Sequence, residues 1–467
     1  MNNITPDDFG AVLQRALGKM VLIGDAIPEH YFSDWTRHAP CRPLALARPE
    51  NTEEVAKVLA LCNEHGFPVI PQGGLTGLAG GAVPTADSVA LSLERLDGSV
   101  EVDPAAGTLT TGAGTTLEAV QRAAEEAGFR YPVDFGARGS CQIGGNVATN
   151  AGGHAVIRHG MTRDRVLGLE VVLADGRVLN LMNSMIKNNA GYDLKQCFIG
   201  SEGTLGVITR VVLKLAPALG ETQTLLCALA DYASAVALLH RLRGAGLSLE
   251  AFEVMWQDFY AMSCGWLNSS PPMETNHPVY VLCETEGDES RLEIALEEAM
   301  AAEEVVDAVR AGTMAQARLL WTIREATAEF SVHLDPISFD ISLPIGQIGN
   351  FVQAAHDGLS QQWPGCHIVN FGHIGDSNLH LTVDGNTLPA NCAETRHAVE
   401  VLVYDLVGKW GGSISAEHGV GLLKRDFLHH SVTENAMATM RALKQALDTR
   451  GILNPGKIFA ADAMRSE

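Results

Sequence analysis

Residues 73–81 read GGLTGLAGG and residues 144–153 read GGNVATNAGG. The first run places five glycines in nine positions directly after FPVIPQ (67–72), a short apolar stretch that reads as a buried strand. With side chains stripped away, backbone N–H groups can converge on one concavity and hold an anion such as a diphosphate. Neither the GxGxxG nor the GxxxxGK[ST] spacing accounts for it, and one such loop is equally a tight, closely packed turn. The second run shifts the weight. Two double glycines around small polar residues let a planar ring system approach the backbone, with amide and hydroxyl donors at hand for its heteroatoms. A third run, GSEGTLG (200–206), follows in the same region. Three glycine-rich loops in one domain call for a large, phosphate-bearing cofactor.

Working outward, glycine is the one compositional excess, 47 of 467 residues, or about 10% against a usual ~7%. The length allows two to four folding units. A net charge of −22 disfavours nucleic acid and anionic membrane surfaces as partners. The nine cysteines include no CxxC pair and are odd in number, which suits buried thiols of a reducing compartment. No apolar run approaches the ~18 residues of a membrane span. The opening MNNITPDDFG lacks a basic, then apolar leader, so a soluble, cytoplasmic protein is expected.

Residues 51–66 (NTEEVAKVLALCNEHG) set Val55, Val58, Leu59 and Cys62 at helical spacing and end on Gly66. VALSLE and TLTTGAG read as strands, LEAVQRAAEEAG (117–128) as a helix, and 131–153 as a long glycine-studded loop. Residues 166–182 alternate around Asp175-Gly176, the signal of a two-residue hairpin. A boundary falls at Pro217. Strand–helix–strand pieces then follow, TLLCALA, ASAVALLHRLRGAG, PVYVLCETEG and SRLEIALEEAMAAE, the rhythm of a cap with helices on one sheet face. From Ala393 the chain turns helical and ends in GILNPGKIF, a tail that should dock rather than fray. The fold class is therefore α+β, with domains at 1–217, 218–420 and a C-terminal segment 421–467 that packs back on the first.

A second constellation lies at His373 and His380, which flank Gly375-Asp376-Ser377-Asn378. If Asp376-Ser377 is a two-residue turn, 373 faces 380. Opposed Cβ atoms lie about 4.5–5.5 Å apart, close enough for two imidazoles to share a divalent metal. Glu417, followed by His418, offers a third, anionic ligand, and such a donor set suits zinc or manganese. Among 16 histidines, any single one is more often exposed or satisfied in the core.

The runs PQGGLTGLAGG, GSCQIGGNVATNAGGHAVIRHGMTRDRVLGLEVVLADGRVL and KNNAGYDLKQCFIGSEGTLGVITRVVLKL resemble the FAD domain of the vanillyl-alcohol-oxidase type flavoproteins. NFGHIGDSNLHL, SAEHGVG and GILNPGKIF narrow the resemblance to the D-2-hydroxyacid dehydrogenases, the D-lactate and D-2-hydroxyglutarate dehydrogenase group, over nearly the whole chain. The resemblance implies a two-subdomain FAD-binding domain and an α+β substrate cap. It assigns the FAD diphosphate to Pro71, Gly73, Gly74, Leu75, Thr76, Gly77 and Leu78. Adenosine and flavin fall to Ser140, Gly144, Gly145, Asn146, Thr149 and Gly152. Glu202, Gly203, Ile208 and Asn454 close the same cleft. Some relatives tether the flavin through a histidine in the first loop; Leu75 and Thr76 stand there in this chain, so non-covalent FAD is expected.

The resemblance further implies a metal on His373, His380 and Glu417, with His418 as general base for the hydroxyl proton, flavin N5 as hydride acceptor, and Arg324 as the fork for the substrate carboxylate. Thr327, Ser338, His373 and Asn378 join it in substrate binding. Two positions depart from the 2-hydroxyglutarate pattern: Ser338 stands where those enzymes carry lysine, and Ala328, beside Thr327, where they carry threonine. The activity implied is oxidation of a D-2-hydroxyglutarate-, D-lactate- or D-malate-like acid to the 2-oxoacid. Electrons would pass to an external electron-transfer flavoprotein, quinone or cytochrome, and a homodimer is compatible. The rivals are a flavin-free metallohydrolase on His373, His380 and Glu417, and a non-catalytic flavin-binding subunit.

Overall fold

The strand Val69–Gln72 that feeds the first glycine loop is the edge of a four-stranded sheet, next to Val89–Ser92, then Ala45–Ala47 and Val21–Ile23. Val69–Gln72 and Ala45–Ala47 both run parallel to Val89–Ser92. A parallel pair needs a crossover, and the helix Thr52–His65 supplies one. Its Asn51 side chain accepts from the Glu54 N–H, Gly66 closes it in the left-handed region, and Val55, Val58, Leu59 and Cys62 are its buried face, as the spacing predicts. In this computed structural model residues 5–267 and 270–460 are described.

The chain forms two units. The first gathers Met1–Gly153, His159–Ala218 and Glu417–Glu467; the second gathers His154–Arg158 and Leu219–Ala416. No sequence feature announces the short excursion at His154–Arg158. Residues 461–467, the end of the expected C-terminal segment, lie outside the described residues.

Besides the four-stranded sheet, the first unit holds a five-stranded antiparallel one, ordered Glu101–Asp103, Thr108–Gly112, Val207–Lys214, Val166–Val172, Val178–Leu181. Its last hairpin differs from expectation by one residue. Val172 pairs with Val178 and the Leu173 N–H donates to the Arg177 carbonyl, so the loop is Ala174-Asp175-Gly176, with Gly176 at φ 85°. A left-handed glycine ending a three-residue loop is the next commonest hairpin solution. The stretch 131–153 is also not all loop, because Ile143–Thr149 is helical. Two glycines make it a poor helix on propensity; buried Ile143 and Val147 hold it in the core. At the C-terminus, Leu453 bridges Val69 in parallel, with Val69 N–H donating to the Ile452 carbonyl and Asn454 N–H to the Val69 carbonyl. The tail thus satisfies the sheet edge that carries the first glycine loop.

The second unit is built on a seven-stranded antiparallel sheet, ordered Asp307–Arg310, Thr222–Leu229, Val279–Glu286, Ser248–Trp256, Ile368–Gly372, Asn378–Asp384, Pro336–Ser342. Helices Gln257–Trp266 and Met314–Arg324 pack one face through Phe259, Tyr260, Leu320 and Ile323. The expectation of helices on one face only is corrected. Leu225, Cys227, Leu229 and Val254, which point the other way, are equally buried, so the opposite face is covered too. Unbroken runs such as LLCAL are the signature of a strand buried on both faces. Among the described residues no helix is long and apolar enough to cross a membrane.

All nine cysteines are thiols. Burial pushes the Cys227 thiol up to about 12, against an ordinary value of 9.0. Between those values the unfolded chain has lost a proton that the folded chain keeps, so stability falls as pH rises. At pH 10.5 that one thiol should cost about 2 kcal/mol. Cys227→Ala should therefore lose less stability between pH 9 and 10.5 than the parent by about that amount. Urea unfolding followed by tryptophan fluorescence measures it, since Trp35 alone of the six tryptophans lies in the first unit.

Candidate active site

The three glycine loops of the first unit wall a cavity of about 360 Å³. Every residue from Pro71 to Ile208 expected to bind cofactor lines it except Ser140. A Cβ on Gly74 would stand 1.9 Å from the Ser140 carbonyl oxygen, so the Ser140 backbone packs directly against the loop. Asn454 is likewise off the wall: its Nδ2 donates to the carbonyls of Gly81 (3.0 Å) and Glu202 (2.7 Å), stapling the first loop to the third. His418 and Glu417 both line the cavity, and Glu417 Oε1 accepts from the Gly153 N–H at 2.8 Å.

The glycines serve two different purposes. At Gly74, Gly144 and Gly206 an added Cβ would come within 2.5 Å of Ser140, Ala113 or Val171, so close packing alone requires glycine there. Gly145 also lines the cavity, yet a Cβ on it would meet nothing within 4 Å. Packing does not require a glycine at that position, whereas a ligand lying against the backbone does. This open stretch of wall is the feature that fits a large planar cofactor.

Two charged groups at these loops, Glu202 of the expected cleft and Lys457, make contacts that the sequence does not announce. Glu202, at φ 51°, accepts from the N–H groups of Val420 (2.7 Å) and Gly421 (2.8 Å). Burial raises its pKa, against the pull of those donors and of Lys424 and Lys457. Lys457 is buried and donates to the Val83 carbonyl at 2.9 Å. Burial, with Arg425 adding to it, brings its pKa down to about 8. The only signal in the sequence was a lysine inside the apolar tail NPGKIF.

In the second unit, the strand order brings a polar cluster onto an otherwise apolar sheet face. Phe371, not His373, is opposite His380, so the expected pairing is off by two. The turn is longer than two residues: Ile374–Asp376 forms a 3-10 turn, Ser377 takes φ 79°, and the Asn378 N–H donates to the His373 carbonyl. A slip of two keeps both side chains on one face, and the imidazoles still meet edge to face with centroids 5.4 Å apart. Each has a carboxylate behind it. His373 Nδ1 lies 2.7 Å from Glu253 Oε1, and His380 Nδ1 3.9 Å from Asp340 Oδ1. An imidazole held by a carboxylate at hydrogen-bond distance, as His373 is by Glu253, is the usual donor of a metal site, and a second imidazole beside it makes a pair that fits one.

Arg324 is not a surface arginine. It is 6% exposed, its Nε (2.8 Å) and Nη2 (2.7 Å) reach Glu253 Oε2, and its Cζ sits 4.9 Å over the Phe371 ring. Burial of Glu253 opposes its ionisation most strongly, but His373, Arg324 and His154 together bring its pKa down to about 2. Asn378 is buried; its Nδ2 donates to Asp340 Oδ1 at 3.0 Å, while its Oδ1 is buried with no partner among the described residues. Thr327 is half-buried, Ala328 exposed, and Ser338 exposed beside Thr382 Oγ1 at 3.2 Å. Glu253, Asp340 and His154 were not read from the sequence. A glutamate inside LEAFEVMW was the available signal, since a charge in a buried strand needs a partner.

Residues 43–182 match the family described as FAD binding domain, and residues 220–458 the family described as FAD linked oxidases, C-terminal domain. Among solved structures, 4-ethylphenol oxidase from Gulosibacter chungangensis aligns with TM-score 0.73 at 18% identity over 98% of each chain. An alkyldihydroxyacetonephosphate synthase aligns with TM-score 0.71 at 16% identity, over 96% of this chain and 86% of its own. Fold and cavity thus define an FAD-linked oxidoreductase with the vanillyl-alcohol-oxidase architecture. D-2-hydroxyglutarate dehydrogenase of Xanthomonas citri pv. viticola is 40% identical over 92% of both chains. The mitochondrial enzyme of that name from Danio rerio is 40% identical over 91% of this chain and 80% of its own. The one from Stutzerimonas stutzeri is 38% identical over 95% and 97%. The chain belongs to the FAD-dependent D-2-hydroxyacid dehydrogenases. A flavin-free hydrolase and a non-catalytic flavin carrier are thereby set aside.

Proposed function

We propose that the protein oxidises D-2-hydroxyglutarate to the 2-oxoacid with non-covalently held FAD and a divalent metal, zinc or manganese, on His373, His380 and Glu417. The observation that carries the metal is the pair of imidazoles 5.4 Å apart, with Glu253 at hydrogen-bond distance behind His373 and Asp340 3.9 Å from His380. When bound, FAD supplies the hydride acceptor and the metal a Lewis acid for the substrate oxygens. The chain's own residues do the rest. Arg324 pairs with the substrate carboxylate, Asn378 helps hold the substrate, and His418 takes the hydroxyl proton as general base. Leu75 and Thr76, in the loop where a tethering histidine would stand, leave the flavin dissociable. Electrons leave to an external acceptor, an electron-transfer flavoprotein, quinone or cytochrome, which reduction assays with each distinguish. Chelation should abolish turnover and zinc or manganese restore it; turnover persisting after verified metal removal contradicts the metal's role.

The substrate's far carboxylate is where this chain departs from its relatives' pattern. Ser338 pairs with Thr382, two positions along the same face from Asp340 and His380. Ser338→Lys therefore sets an ammonium on the face that carries His380 and Asn378. It should raise kcat/KM for D-2-hydroxyglutarate about 10-fold, worth about 1.4 kcal/mol, and leave D-lactate unchanged. Steady-state kinetics with both acids, and with D-malate between them, measure the difference.

A further inference from the structure

We propose that Glu253 is a positioning residue for this reaction, one buried carboxylate that sets the tautomer of His373 and the orientation of Arg324 together. This rests on the reading of His373 as metal ligand and Arg324 as carboxylate anchor. Glu253 sits in the middle of the strand Ser248–Trp256 and is 0% exposed, on a sheet face otherwise filled by Met255, Phe371 and Leu282. A carboxylate there is tolerable only with its lone pairs engaged. Its two oxygens divide the work: Oε1 faces His373 Nδ1 at 2.7 Å, and Oε2 accepts from Nε of Arg324 at 2.8 Å, with Nη2 in ion-pair contact at 2.7 Å.

Two consequences follow from donor and acceptor chemistry. An ionised carboxylate only accepts, so His373 must carry its proton on Nδ1 and present the Nε2 lone pair to a metal. Arg324 is held by Glu253 through Nε, and its buried Nη2 has no hydrogen-bond partner among the described residues, so a substrate carboxylate meets the guanidinium at its Nη1–Nη2 end. His154, from the excursion His154–Arg158, lies tilted against Trp321 with ring centroids 5.2 Å apart, one turn before Arg324, and adds to the positive surroundings of the same carboxylate.

Glu253→Gln tests this sharply. Glutamine has one acceptor oxygen, and a permanent cation will claim it. Its NH2 then faces His373 Nδ1, which must accept, and the proton moves to Nε2, where it blocks a metal. In the holoenzyme with selectively 15N-labelled histidine, the NMR signature of His373 should change from the Nδ1–H to the Nε2–H tautomer. Affinity for Zn2+ or Mn2+ alone, by chelator competition, should fall about 10–100-fold, KM should rise more than kcat falls, and flavin content should stay constant. Adding Arg324→Met releases the glutamine oxygen to His373; the double variant should regain the Nδ1–H tautomer and metal affinity but not KM. An unchanged tautomer in Glu253→Gln, or no return in the double variant, overturns the proposal. If the single variant fails to fold, the double variant decides by its tautomer. A parent protein that binds neither ion refutes the metal reading, while the tautomer still judges Glu253.

Discussion

Gly145→Val should give a folded protein without flavin. The position lies within the helix Ile143–Thr149, where valine is no worse than glycine on propensity, and a Cβ there meets no neighbour within 4 Å. The new side chain projects into the cavity wall instead. Filling that space removes the surface on which a flat ring lies, and FAD affinity should drop at least ~100-fold, or about 2.7 kcal/mol, with the melting temperature of the apoprotein nearly unchanged. The adjacent residue supplies the contrast. A Cβ on Gly144 would stand 2.5 Å from the Ala113 Cβ and 3.0 Å from its carbonyl oxygen. Gly144→Ala should therefore lower the melting temperature, because the helix must move away from the turn at Ala113. Flavin-to-protein ratio and thermal unfolding together distinguish the two. Flavin retained by Gly145→Val at the parent's ratio would place the cofactor elsewhere.

Arg324→Lys should leave flavin bound and raise KM for the hydroxyacid about 100-fold, again about 2.7 kcal/mol. The guanidinium serves two anions: Glu253 takes Nε, and the substrate is left the Nη1–Nη2 end. An ammonium satisfies Glu253 but has no second planar edge for a carboxylate. Lysine is the informative change because methionine would strand a buried carboxylate, at about 3–5 kcal/mol, and confuse binding with stability. Unchanged KM in Arg324→Lys would make the arginine a purely structural counter-ion.

Much of this was legible in the residues themselves. The glycine runs at 73–81, 144–153 and 200–206 mark the cavity because glycine is the one residue whose absence of side chain is itself the message. The helix Thr52–His65 was legible because its cap, its apolar spacing and its closing glycine agree. The register at His373 and His380 was not, since it depends on Ser377 adopting a left-handed conformation, which serine does not advertise. Sequence placed the two histidines on one face for a pairing that does not occur; the slip happened to be even, and the face survived. Glu253 and Asp340 were hidden because an alternating pattern records which residues are apolar, not which polar ones are buried with partners. The Ser140 backbone packs against the first glycine loop and Asn454 staples the first loop to the third, contacts that motif membership alone does not reveal.

Anaerobic mixing of the purified yellow holoenzyme with the separate enantiomers of 2-hydroxyglutarate, malate and lactate tests the central claim most directly. The D-acids, D-2-hydroxyglutarate foremost, should bleach the flavin while their L-counterparts leave it oxidised, and Arg324→Lys should shift that bleaching to about 100-fold higher concentration. A flavin that no D-2-hydroxyacid bleaches, or that both enantiomers bleach alike, would contradict the account.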